Sequence, residues 1–182
     1  MRGEVFVKDL PVRKHPRLKN WNYNSNAVYH ITICVQDRHE MLGHIVGRDA
    51  PGAPSSTDNT TNASSIELSE YGKIVFDEIE ETELHYPDIA VDKFVVMPNH
   101  IHMLVRINRE DGAPRASRPT TALIPRIVAV LKRKTNKVFG FNMWQDSYHD
   151  HIIRDEAEYQ RVWQYIENNP GRWNEDEYHR TV

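Results

Sequence analysis

The sequence predicts an α+β fold: a ferredoxin-like antiparallel sheet in the order βαββαβ, with helices on one face and a C-terminal helix that carries Tyr165. Three observations predict it. Residues 27–36 alternate, with Tyr29, Ile31, Ile33 and Val35 on one face and Val28, His30, Thr32 and Cys34 on the other, as a half-buried strand does. Two apolar β-type runs, 89–97 and 99–107, flank Pro98-Asn99 and read as a hairpin. Helical periodicity then fills the gaps between strands, from Ser69 to about Tyr86 and from about Thr121 to Phe139, and returns after Asp155.

In chain order, residues 1–26 form a basic arm with six bases and two acids, including Arg13, Lys14, Arg17 and Lys19, and with Trp21 and Tyr23 beside them. Residues 27–182 make one domain, interrupted by two segments with little to bury, 47–65 and 108–120, expected to be flexible insertions. In the first helix Ile74, Val75 and Ile79 face inward, Asp77, Glu78, Glu80, Glu81 and Glu83 face outward, and Pro87 ends it. The second helix buries Leu123, Ile127, Val130, Leu131 and Val138 and shows a basic side of Arg126, Lys132, Arg133, Lys134 and Lys137. Residues 143–153 hold the last strand. Asp155 with Glu158 makes a capping box for a helix that ends at Pro170, with Tyr159, Val162, Trp163 and Ile166 as its buried stripe. Tyr165 and Asn169 lie one turn apart on the flank of that stripe; Pro170 biases the Asn169 backbone away from helix.

Charge is segregated along the chain. The formal net charge is −3, yet residues 67–92 carry −8 and residues 106–137 carry +7, so a polyanionic partner is compatible with the near-neutral total. The single cysteine, Cys34, excludes an internal disulfide and a cysteine-rich zinc site. No apolar run approaches the roughly 20 residues of a membrane span, and the N-terminus lacks a secretory apolar core. A soluble, cytoplasmic protein with no membrane partner is expected.

His100 and His102 open the second strand of the hairpin. Side chains two apart on a strand share a face, a geometry that suits gripping one metal ion and equally fits a histidine pair on a solvated face.

Four blocks decide between those options: Arg17-Leu18-Lys19 through Tyr29-His30-Ile31-Thr32-Ile33-Cys34; Met97-Pro98-Asn99-His100-Ile101-His102; Trp144-Gln145-Asp146-Ser147-Tyr148-His149-Asp150-His151-Ile152-Ile153-Arg154-Asp155-Glu156; and Tyr165-Ile166-Glu167-Asn168-Asn169-Pro170. In that order they resemble the single-tyrosine transposases of the HUH endonuclease superfamily, most closely the REP-associated tyrosine transposase-like group of the IS200-like transposases. The resemblance implies that His100 and His102 bind Mg²⁺ or Mn²⁺, that Asn169 completes the ligand set, and that Tyr165 is the nucleophile. It implies a metal-dependent endonuclease and transposase that cleaves and rejoins single-stranded DNA at hairpin-associated sites through a 5′-phosphotyrosine link. Tyr148 is the rival nucleophile, and a non-catalytic relative that only binds hairpin nucleic acid is the alternative function. Candidate DNA contacts are Arg17, Lys19, Arg126, Arg133, Lys134, Lys137, Trp144, His149 and His151; either histidine is also available as a base. The family includes homodimers, in which the tyrosine helix serves its own or the partner's histidine pair, and monomers.

Overall fold

Alternation along the first strand sorts its side chains between two environments. In the computed structural model, which describes residues 25–47, 64–109 and 122–179, strand β1 spans Ala27–Cys34. Tyr29, Ile31 and Ile33 are fully buried on one side, with Val35 just beyond. Strands β4 (Ile89–Val96) and β5 (His100–Ile107) form the expected hairpin. With β6 (His149–Ile153) they complete a four-stranded sheet in the order β4-β5-β1-β6, every pair antiparallel. This is the ferredoxin-like order that βαββαβ connectivity gives.

Helices α1 (Glu70–Glu80) and α3 (Leu123–Phe139) cover the Tyr29 face, where Val75, Ile79, Leu123, Ile127 and Leu131 close the core. Ser69 caps α1, its Oγ accepting from Gly72 N at 3.1 Å and donating to Met41 O at 2.6 Å. A Cβ at Gly72 would overlap the Leu42 carbonyl, so the helix start can lie this close to the loop only with glycine. The acidic helix and the basic helix meet side by side: Lys134 Nζ lies 2.8 Å from Glu78 Oε2 and 3.6 Å from Glu81 Oε2.

Helix α4 (Glu156–Asn168) crosses the opposite sheet face, against β4 and β5. Asp155 caps it by accepting from Glu158 N at 2.8 Å, while the Glu158 carboxylate reaches back to Arg154 N, one residue beyond the N–H of the reciprocal capping-box bond. A 3-10 segment, Pro170–Glu175, follows directly. No described helix is long and apolar enough to cross a membrane.

Several expectations change. The first helix breaks after Glu80, and a single turn, α2 (Thr82–His85), carries the chain to Pro87. Val138 is 61% exposed rather than buried, because Thr135 and Phe139 take the inward positions at the end of α3 and left-handed Gly140 stops the helix. Trp144 only bridges to Val35, and β6 starts at His149 because Lys132 Nζ gathers the carbonyls of Gln145 and Ser147 into a loop. A two-stranded sheet unforeseen from sequence, β2 (Gly43–Val46) with β3 (Ser65–Leu68), brackets the first insertion and takes in its last residue. Most of the basic arm, of 47–65 and of 108–120 lies outside the described residues.

Candidate metal and tyrosine site

Residues paired across antiparallel strands share a face. The register sets His102 opposite Thr32 and His100 opposite Cys34, while on the other edge of β1 His149 pairs with Thr32 and His151 with His30. The two histidines predicted to stand together are therefore part of a larger face that also holds His30, His149 and His151.

His100 and His102 are buried, at 0% and 1% exposure. The Asn99 amide is oriented by its Nδ2, which donates to Arg38 O at 3.1 Å and Tyr178 O at 2.9 Å. Its Oδ1 can then only accept, so the 2.8 Å contact from His100 Nδ1 fixes the proton on that nitrogen. His100 Nε2 is left as a bare lone pair, facing His102 Nε2 at 2.9 Å. Two lone pairs do not face each other at that distance. A proton on His102 Nε2, with Nδ1 accepting from Thr32 Oγ1 at 2.9 Å, resolves the contact. A shared cation resolves it equally, since two ligands about 2.1 Å from one ion at a right angle stand about 3 Å apart.

The surroundings favour neutral imidazoles, the ligand form. Burial, with Arg38 and His30 nearby, pushes His100 down to about 3, and burial with His100 and His30 lowers His102 well below the usual histidine value. His30, whose Nε2 lies 3.1 Å from His102 Nδ1, is lowered to about 4 by burial and by His151 and His149.

Two oxygens complete the environment. Asp176 offers a carboxylate, and the ligand atoms of His100, His102 and Asp176 all lie within 4.8 Å of one another. Asn169 is 3% exposed; its Nδ2 donates to Asp176 Oδ2 at 3.0 Å, and its Oδ1 is buried with no donor among the described residues. Two neutral imidazoles and a carboxylate that converge are a donor set that fits a divalent cation, and the amide bonded to that carboxylate keeps a buried oxygen in reserve. The Asn169 backbone is helical, with φ −57° and ψ −43°, because Pro170 starts the 3-10 segment and prolongs the turn instead of breaking it.

Tyr165 stands over this set. Its hydroxyl is 3.3 Å from His102 Nε2 and 3.4 Å from Asp176 Oδ2, and its ring meets His102 edge-on with centroids 5.1 Å apart. Desolvation, then the Asp176 charge, pushes its hydroxyl up to about 12, with the Asn169 hydrogen bond opposing them, so the phenol is neutral at pH 7. The cleft in front of it, about 630 Å³, is walled by His30, His149 and His151 on the sheet and by Arg38 and Tyr178 opposite.

The other predicted residues scatter. His149 and His151 both line the cleft, and His151 is also held by Glu158, its Nε2 lying 2.7 Å from Oε1. Trp144, a candidate DNA contact from the sequence, is 1% exposed and donates Nε1–H to Thr135 Oγ1 at 2.8 Å, so its ring belongs to the core. Arg126, Arg133, Lys134 and Lys137 lie on α3, across the sheet from the histidines, with Lys134 engaged by Glu78. Arg17 and Lys19 lie outside the described residues. Tyr148 is partly buried against the core cluster. Sequence reasoning missed Asp176, which sits among Glu175 and Glu177 as one more surface acid, and Asn99, which resembled a turn residue only.

No family model matches the chain. An uncharacterized protein of Haemophilus influenzae is 30% identical over 183 residues, spanning 91% of this chain and 92% of that protein. Among solved structures, a REP-associated tyrosine transposase bound to a REP hairpin aligns with a TM-score of 0.56 at 15% identity, covering 86% of this chain and 74% of that one. At that identity the likeness is one of fold.

Proposed function

We propose that this chain, which belongs to the same family as the uncharacterized Haemophilus influenzae protein and has the fold of a tyrosine transposase, is a DNA strand transferase. It cuts and rejoins single-stranded DNA beside hairpins, with Tyr165 as nucleophile and His100, His102, Asp176 and Asn169 as the holders of Mg²⁺ or Mn²⁺. The observation that carries this proposal is the Tyr165 hydroxyl, 3.3 Å from His102 Nε2 and 3.4 Å from the Asp176 carboxylate to which the Asn169 amide also donates. A binding module has no use for that convergence.

When bound, a divalent ion at these residues supplies positive charge for a phosphoryl oxygen of the scissile phosphate. The residues do the rest. Asn99 holds His100 in the tautomer that presents Nε2, and Thr32 with His30 orients His102. Tyr165 Oη attacks phosphorus, the bond from phosphorus to the 3′-oxygen breaks, and a 5′-phosphotyrosine link retains the energy for rejoining. The proton leaving Tyr165 has Asp176 Oδ2 at 3.4 Å as its acceptor. The departing 3′-oxygen takes a proton from water in the open cleft. Reversal, with another strand's 3′-hydroxyl, completes transfer.

The test is incubation of the full chain with end-labelled, hairpin-bearing single strands and Mn²⁺ or Mg²⁺. Wild type is expected to form a covalent adduct, Tyr165→Phe none, and Tyr148→Phe the wild-type amount. An adduct that survives in Tyr165→Phe and vanishes in Tyr148→Phe overturns the assignment. Hairpin binding with neither nick nor adduct makes the protein a binding module.

A further inference from the structure

Tyr165 is a ridge between two clefts. Its hydroxyl faces the histidine side, but its other flank walls a second cleft of about 440 Å³, within the range of ligand-binding pockets. Arg161, Gln164 and Asn168 line that cleft, at the i−4, i−1 and i+3 positions from Tyr165 on α4, so they share its exposed face. Asn169, Arg172, Glu175 and Asp176 complete its lining, and Glu175 and Asp176 are shared with the histidine cleft.

We propose that this outer cleft is a base-reading subsite for the unpaired nucleotide next to the phosphate that Tyr165 attacks, with Gln164 and Asn168 as the reading side chains. The proposal rests on the strand-transfer function above and adds the substrate feature that sets its specificity. DNA is continuous through the reacting phosphate. With the phosphate held over the Tyr165 hydroxyl, one flanking nucleotide lies on the histidine side and the other passes over the ridge.

Three observations fit a base there. First, the cleft's formal charges cancel, Arg161 and Arg172 against Glu175 and Asp176. A phosphate site calls for excess cations, whereas an uncharged heterocycle does not. Second, Gln164 and Asn168 each present a donor and an acceptor, the pairing that reads a base edge with two hydrogen bonds. Third, those groups are available. Among the described residues, the side chains of Arg161, Gln164 and Asn168 make no hydrogen bond or ion pair, while the neighbouring polar side chains of α4 are engaged: Gln160 with Glu156, Glu167 with Lys93, and Glu158 with His151.

The experiment uses a pool of single strands that carry one stable hairpin with randomised nucleotides at its foot. Equilibrium binding and Mn²⁺-dependent adduct formation are each read by sequencing for wild type, Gln164→Ala and Asn168→Ala, with Mn²⁺ affinity measured separately by paramagnetic resonance. Wild type is expected to prefer one base at one position beside the cut by about 5- to 150-fold, the value of a bidentate base contact. That preference should fall toward unity in either variant, with Mn²⁺ affinity unchanged. A wild type that forms adducts without base preference, or variants that slow every sequence equally and keep the preference, overturn the subsite while leaving strand transfer standing. Base-selective binding that the variants abolish, without any adduct, supports the subsite and overturns strand transfer. Neither binding nor adduct overturns both.

Discussion

The Asn99 side chain accepts the His100 Nδ1 proton while donating to two carbonyls, Arg38 and Tyr178, so one buried amide orients a ligand and ties two loops to it. In the sequence Asn99 is half of a Pro-Asn turn; its role depends on Arg38 and Tyr178, distant in the chain, and was not legible. The histidine pair itself was, because strand parity alone puts His100 and His102 on one face. Asp176 was not, because nothing local separates it from its acidic neighbours. Asp176→Asn is expected to weaken Mn²⁺ binding roughly 10-fold or more, and His100→Ala to abolish it, by calorimetric titration; unchanged affinity in both variants contradicts the ligand set.

The buried histidines also set a pH dependence. His30 and His100 are held neutral in the fold, at about 4 and about 3, but regain ordinary values near 6.5 when unfolded. Below pH 6.5 the unfolded chain therefore binds protons that the folded chain refuses, and stability falls as pH drops toward 4. The limiting slope is about 1.4 kcal/mol per pH unit for each histidine. Urea unfolding of metal-free protein at pH 7.5 and pH 5.5 checks this: the midpoint should be lower at pH 5.5, and His30→Asn should reduce the difference.

At the scale of elements, periodicity located β1, the hairpin, α3 and α4, and failed where a side chain outside the element decided the outcome. Lys132 turned the approach to β6 into a loop, and Thr135 drew Trp144 inward to satisfy its indole N–H. Short strands such as β2 and β3 carry too few residues for alternation to register, and their pairing spans the first insertion. The start of α4 was readable from Asp155 and Glu158, and it matters to the site because that helix carries Tyr165. Asp155→Ala should cost about 1 kcal/mol of stability through loss of the cap bond to Glu158 N. Chemical denaturation measures it, and an unchanged midpoint would show that the cap contributes nothing.

For the whole molecule, the sheet divides labour between its faces. One face buries the apolar core under α1 and α3; the other carries the histidines under α4 and the C-terminal segment. The opposite charges of residues 67–92 and 106–137 meet where α1 packs on α3, so part of the basic helix face is consumed inside the fold. Charge segregation in the sequence was compatible with a polyanionic partner; packing redirects attention from the basic helix to the tyrosine face.

The most direct measurement of the central claim is mass spectrometry of the protease-digested protein after reaction with a hairpin-bearing single strand and Mn²⁺. The proposed function predicts a nucleotide phosphate on the peptide that contains Tyr165, attached to its phenolic oxygen. A nucleotide on Tyr148, or cleaved DNA with every tyrosine peptide unmodified, would contradict it.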